Sequence, residues 1–293
     1  MLLSDVAFQE YKKYIKTEEI DTAKALLLSE IKENTFIYQY TRGDSLWFKT
    51  IRDKKIWMGN AARFNDPYDC AFLINKRTKE KYADDEIDLA MREYGCQKKQ
   101  DEESFENQKS VFVSCFSETY TSNPMWAYYG NNQRGICVGY DLRSLIEKYN
   151  CFPVIYSEIM PEIQSSDFSY ESILTKSNIW KHELEWRITR IEEDKKGEPG
   201  VCISFEEPKR LFLGNRYQNG SYDNIIRTEI QLLKTIKTTE KSNVADIINN
   251  KKDSLGISLR EVWNYSKKNR IELYELNLDH NSFCMKEKRL PLG

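Results

Sequence analysis

The period of the apolar positions changes at Phe36. Before it, TAKALLLSEIKE sets Ala25, Leu28 and Ile31 at helical spacing, with Asp21 or Thr22 placed to cap the helix. After it, FIYQYTR alternates, so Phe36, Tyr38, Tyr40 and Arg42 share one side of an expected strand. Gly43-Asp44 opens a turn, Asp44 or Ser45 can cap a short helix to about Arg52, KIWMG reads as a strand and FNDPYDC as a loop. SVFVSCFSE, GICVGYD and CFPVIYSE read as strands, with a helical MWAYYG between the first two. A helix is expected from Ser169 to Trp180. HELEWRITRI then sets Leu184, Trp186 and Ile188 against Glu183, Glu185, Arg187 and Thr189, which is a strand pattern. Two short strands, VCISF and RLFLG, precede polar helices from about Asp223 to Lys268 and a closing strand IELYELNL.

These elements predict an α+β fold, a mixed, largely antiparallel sheet with flanking helices, as a single domain over residues 1–293. Residues 36–215 carry the motifs. Residues 76–110 are dense in charge and read as an insertion or lid with one helix near Asp84 to Tyr94, and residues 222–270 read as a helical addition.

Composition narrows the chemistry more than the fold. A chain of 293 residues can bury a core without covalent staples. Lys+Arg 44 nearly cancels Asp+Glu 46, so net charge supports neither nucleic acid nor an anionic membrane as a partner. The seven cysteines show no CxxC or Cys/His spacing for zinc and read as reduced core thiols. The N-terminus lacks a basic segment followed by an apolar run, and no stretch reaches the roughly 18 apolar residues of a membrane span, so a cytoplasmic location is expected. With only His182 and His280 available, chemistry falls to carboxylates, hydroxyls and arginine, and no resident metal is expected.

Glu183 and Glu185 lead the candidates. On a strand they face together, and close carboxylates raise one another's pKa, a cost usually tolerated only with a partner or a purpose. The plainer alternative is an exposed strand face with Arg187 as a diagonal partner. In FNDPYDC, Asn65 and Asp66 precede Pro67 and suit either a loop lock or a ligand role, with Asp69 as a further oxygen donor. Ser114 and Ser117 fall on opposite faces of their strand, and Ser117 is kept for the site. Met125, Tyr128 and Tyr129 form a core stripe, while Trp126 is placed to wall a pocket. His182 lies opposite the glutamates and receives no catalytic role.

Taken in order, YxYxR, KIWMGNAARFNDPYDC, VSCFSE, NPMWAYYG with RGICVGYD, and WKHELEWRI resemble a bacterial family, domain-of-unknown-function 2971, over roughly residues 36 to 215. The family pattern looks like YxYR, whereas here Thr41 separates Tyr40 from Arg42. A second likeness, in order of motifs, is to arginine-serine-glutamate ADP-ribosyltransferases. That likeness implies an ADP-ribosyltransferase-like fold in which Arg42 holds the pyrophosphate of NAD and Ser117 positions a carboxylate. It further implies that Glu185, beside Glu183, binds ribose hydroxyls and stabilises an oxocarbenium-like centre, and that Tyr40 or Trp126 stacks on nicotinamide.

The expectation is therefore an NAD-consuming transferase or glycohydrolase, a toxin or phage-defence effector, with NAD as substrate and a macromolecule as target. Catalysis is assigned to Glu185, Glu183 and Ser117, and NAD contacts to Arg42, Tyr40, Trp126, Asn65 and Asp66. Two alternatives stand beside it. One is a metal-dependent nuclease or phosphodiesterase in which Asp66, Asp69, Glu183 and Glu185 gather a hard cation. The other is a noncatalytic binding module whose motifs lock the fold and whose residues 76–110 contact a partner protein.

Overall fold

A computed structural model describes residues 2–71, 73–74, 105–163, 169–217, 257–279, 281–282 and 284–292, with backbone only at 73, 74 and 163. Most of the expected charged insertion, its helix near Asp84 to Tyr94, His280 and the expected C-terminal helices up to residue 256 lie outside the described residues. The fold class is α+β, with a mixed, mostly antiparallel sheet and flanking helices. Contacts within the chain divide it into two compact units, residues 1–35, 57–115 and 142–203 in the first and 36–56, 116–141 and 204–293 in the second.

In the first unit, helix Asp5–Lys16 opens on Ser4, whose hydroxyl accepts a hydrogen bond from the Ala7 N–H. Its buried stripe, Ala7, Tyr11 and Ile15, recurs every four residues, and the Tyr11 hydroxyl donates to the Pro153 carbonyl at 2.8 Å. The next helix runs Ile20–Glu30 and starts on Glu19 without a side-chain cap. It buries Ala23 and Leu27, with Ile31 just beyond its end; of the expected stripe Ile31 is buried, Leu28 half-buried and Ala25 exposed.

Strand Val111–Ser117 contributes residues 111–115 to this unit. It pairs antiparallel with Lys55–Asn60 and also with Glu185–Ile191, which pairs in turn with Cys151–Pro153. Two expected elements are broken here, for visible reasons. CFPVIYSE is interrupted at Val154, whose N–H donates to the Glu185 carbonyl at 2.9 Å, and resumes as Ile155–Ser157. The helix expected to reach Trp180 stops after Tyr170–Leu174, because Thr175–Ser177 pairs in parallel with Ile155–Ser157.

In the second unit, Phe36–Thr41 pairs antiparallel with Ile136–Asp141, and Tyr38 also lies opposite Ser117. Ile136–Asp141 continues antiparallel to Arg210–Leu213, which is parallel to Glu272–Leu278, itself antiparallel to Met285–Arg289. Asp44 caps helix Ser45–Arg52 as expected, its Oδ1 accepting from the Trp47 N–H at 2.8 Å. Gly139 lies opposite Tyr38, where a Cβ would stand 3.0 Å from that of Arg210 and 3.2 Å from the Tyr38 ring. The core of this unit is aromatic, with Tyr38, Tyr40, Trp126 and Phe212 buried together beside Cys137 and Leu276.

Candidate functional site: a buried charge cluster beside a pocket

The two glutamates converge, but not as neighbours on one strand. Residues 178–183 form a 3-10 turn, Leu184 takes a left-handed conformation at φ 47°, and the strand begins only at Glu185. That positive φ ends the alternation on which the strand expectation rested, and His182 sits exposed in the turn instead of on a strand face. Glu183 and Glu185 therefore approach from different elements, and both reach the ammonium of Lys176. Nζ lies 2.6 Å from Glu183 Oε2, 2.7 Å from Glu185 Oε2 and 3.5 Å from Asp69 Oδ2.

Arg187 completes the cluster one strand step beyond Glu185. Its Nε donates to Glu185 Oε1 at 2.7 Å, and its Nη2 lies 3.2 Å from Glu185 Oε2 and 2.7 Å from Asp69 Oδ1. Nη1 donates to the Ile173 carbonyl at 2.6 Å and to Cys70 Sγ at 3.4 Å. Cys70 itself is left-handed at φ 57°, in the FNDPYDC loop that delivers Asp69. The guanidinium fork thus ties loop, helix end and strand together, a planar pattern that an ammonium cannot reproduce.

All members are out of water. Side-chain exposure is 0% for Arg187, 2% for Glu185, 3% for Glu183, 5% for Asp69 and 6% for Lys176. Burial alone would push the Glu185 carboxyl up, but Arg187 and Lys176 outweigh it and hold that pKa down to about 2. Burial would lower the Lys176 ammonium, and Glu185 and Asp69 instead raise it above its ordinary value. Burial pushes the thiols of Cys70 and Cys115 upward, so neither is a ready thiolate. With every group ionised, Asp69, Glu183 and Glu185 exceed Lys176 and Arg187 by a single negative charge. The point where the three carboxylates meet carries a built-in ammonium, the position a shared metal ion would need. Among the described residues, no group of His, Cys, Asp and Glu is arranged to hold a metal.

Around this core, the Glu185 N–H donates to the Tyr156 hydroxyl at 2.9 Å, and Trp180 Nε1 donates to Asp66 Oδ2 at 2.6 Å. Lys176 Nζ also lies 5.3 Å from the Trp180 ring centre, within cation–π range. Asp66 shapes its own loop, Oδ1 accepting from the Tyr68 N–H at 3.0 Å, so it acts as an Asx turn before and after Pro67. Asn65 is exposed.

A surface pocket of about 360 Å³ opens against Lys176 and Asp66. Ser157, Thr175, Ser177 and Glu158 also line it. Three large side chains on its lining, Tyr68, Ile159 and Ile179, are 67%, 76% and 73% exposed. That volume suits a small molecule or one part of a larger one.

The other expected site residues belong to the second unit. Trp126 is fully buried, its indole N–H donating to the Tyr120 carbonyl at 2.8 Å and its ring meeting Tyr40 edge-on at 5.2 Å. The Tyr40 hydroxyl donates to the Thr119 carbonyl at 2.9 Å, and Ser117, also buried, accepts from the Thr119 N–H at 3.2 Å. Arg42 stands exposed just past the end of its strand. Sequence reasoning supplied Arg187 as a partner but missed Lys176, Trp180 and Tyr156. The signal for Lys176 was the carboxylate pair itself, which needs a cation, yet no fixed spacing says which residue supplies it.

Residues 125–188 match the model of the family described as Protein of unknown function (DUF2971), which bears out the family resemblance carried by the motifs. The matched stretch contains Trp126, Lys176, Glu183, Glu185 and Arg187. No curated protein and no solved structure matches the chain.

Proposed function

We propose that the first unit binds a small polar ligand in this pocket and stabilises positive charge that develops on it, as an NAD-consuming transferase or glycohydrolase does. One observation carries the reading: Lys176 belongs at once to the pocket wall and to the buried cluster of Asp69, Glu183, Glu185 and Arg187. Loss of nicotinamide from NAD breaks the glycosidic bond with both electrons leaving on the ring, so the ribose carbon becomes cationic. The positive charge thereby passes from the pyridinium nitrogen to the ribose carbon, and a pre-organised, net-negative cluster buried behind the pocket wall on the ribose side favours that shift. Tyr68 on the rim supplies a ring for the planar leaving group, and the pocket hydroxyls supply partners for ribose. Attack by water gives the glycohydrolase, and attack by a target side chain gives the transferase.

The test is nicotinamide release from NAD by the purified protein, followed chromatographically. Tyr68→Ala and the pocket-filling Ser177→Trp are expected to reduce release at least about tenfold while leaving thermal unfolding unchanged, and Glu185→Gln to abolish it. A second reading has its own support, since each cluster carboxylate contacts a cation within 2.9 Å and Arg187 is wholly buried. On that reading the cluster is a fold lock. No nicotinamide release from the wild type, with Glu185→Gln lowering only the melting temperature, would select the lock.

A further inference from the structure

The second unit holds a different pocket, of about 520 Å³, between helices Ser45–Arg52 and Leu259–Asn269. From the first helix it takes Phe48 and Arg52; from the second, Glu261, Asn264, Tyr265, Lys268 and Asn269, the i, i+3, i+4, i+7, i+8 face. Lys54 and Glu207 close it.

Its charges are not balanced. Glu207 is bound to Lys54 at 2.8 Å, a contact that lowers its pKa, and Glu261 is occupied by the Ser258 N–H and hydroxyl at 3.1 and 2.8 Å in a capping box. Among the described residues, neither Arg52 nor Lys268 forms an ion pair. A cation in the last turn of a helix is often explained by the helix dipole. Here each helix already has another, Lys49 in one and Lys267 in the other, so Arg52 and Lys268 exceed that need.

The floor is aromatic. Tyr265 meets Phe48 edge-on at 5.3 Å, and the Arg52 guanidinium lies 5.2 Å from the Phe48 ring centre. That distance is within cation–π range, and the guanidinium N–H groups, in no ion pair among the described residues, can donate to an oxyanion. The side-chain amides of Asn264 and Asn269 add donors and acceptors within the same wall, although Asn269 Nδ2 already donates to the Tyr265 carbonyl at 2.9 Å.

We infer that this pocket binds a small phosphomonoester carrying a planar ring, of the nucleoside monophosphate class. Arg52 and Lys268 hold the phosphate, and the ring lies against Tyr265 within reach of Asn264. This site is independent of the reading given to the first unit.

Calorimetric titration of the full-length protein with adenosine monophosphate tests it, with adenosine and inorganic phosphate in parallel. The monophosphate is expected to bind, adenosine and phosphate each about tenfold or more weakly, and raised salt to weaken the monophosphate selectively. The double variant Arg52→Gln, Lys268→Gln is expected to lose about tenfold or more in affinity with an unchanged melting temperature, and Tyr68→Ala in the first unit to bind as wild type. The inference is overturned by no heat with the monophosphate at millimolar concentration, or by adenosine or phosphate alone binding equally well. It is equally overturned by full affinity in the double variant, or by loss of affinity in Tyr68→Ala.

Discussion

Residues from one ordered set of motifs are built into two different kinds of interior. The first unit buries ions: Arg187, Lys176 and three carboxylates, each contact charge-assisted. The second unit buries rings: Tyr38, Tyr40, Trp126 and Phe212, with the Tyr40 hydroxyl and the Trp126 indole N–H meeting neutral backbone groups. The difference matters because the two interiors fail differently. A ring core loses area and leaves a cavity, in proportion to what is removed. An ionic core loses balance, since the desolvation of the remaining charges was offset only by the group taken away. Local changes should therefore have outsized effects in the first unit and graded effects in the second.

The largest expected effect is at Arg187. Arg187→Ala leaves Glu185 and Asp69 with Lys176 as their remaining cation in the cluster and removes the charged donor from the Ile173 carbonyl, and it should destabilise the protein by about 3–5 kcal/mol in urea unfolding. Arg187→Lys keeps the charge but not the fork and should recover less than half of the loss. A loss below about 1 kcal/mol would mean that the cluster does not act as a network, and the contrast between the units would fail at its first term.

Next comes acid. The Glu185 carboxyl has an ordinary value of 4.5 and is held at about 2 in the folded protein. A depressed folded pKa gives stability that is fully present above 4.5 and is lost as pH falls from there towards 2. At about 1.4 kcal/mol per unit, the loss is on the order of 3 kcal/mol. The Lys176 pKa is raised, so its contribution is complete throughout this window and adds no slope. Urea midpoints between pH 6 and 3 should fall steeply in the wild type and less so in Glu185→Gln; parallel slopes would remove Glu185 from the account.

In the second unit, Trp126→Phe should lie lower on the scale, at about 2 kcal/mol, from lost ring volume and an orphaned Tyr120 carbonyl. Its unfolding should show no new pH dependence, which separates an area loss from a charge loss.

How much of this was legible beforehand follows the same division. Strand Phe36–Thr41, the capped helix at Asp44 and the shared side of Tyr38 and Tyr40 could be read because local period and capping chemistry decide them, but that this side is buried could not. The convergence of Glu183 and Glu185 was foreseen, but for a reason that does not hold. The turn at Leu184 depends on a left-handed backbone at a leucine, which nothing in its side chain announces. Lys176 was invisible because it comes from a strand whose partner, Ile155–Ser157, lies far away in the chain, so its neighbourhood is set by tertiary pairing. Trp126 was read as a pocket wall from its position in a short helix. Only the fold shows that its indole N–H is taken by the Tyr120 carbonyl and its ring buried.

The smallest effect should come from Tyr40→Phe, and it tests the comparison most closely because it removes one oxygen and no ring. The hydroxyl donates to the Thr119 carbonyl at 2.9 Å and accepts from the Ser122 N–H at 3.3 Å. Burial raises its pKa above the ordinary value of 10.0, so it is neutral at any working pH and its loss unbalances no charge. What remains is two backbone groups short of a partner at a position near the start of helix Asn123–Tyr128, a loss of about 1 kcal/mol. Measured beside Arg187→Ala in the same urea series, it should give a several-fold smaller change and an unaltered slope with denaturant. If Tyr40→Phe matched Arg187→Ala instead, neutral and ionic interiors would be equivalent here, and the contrast between the units would reduce to the number of hydrogen bonds lost.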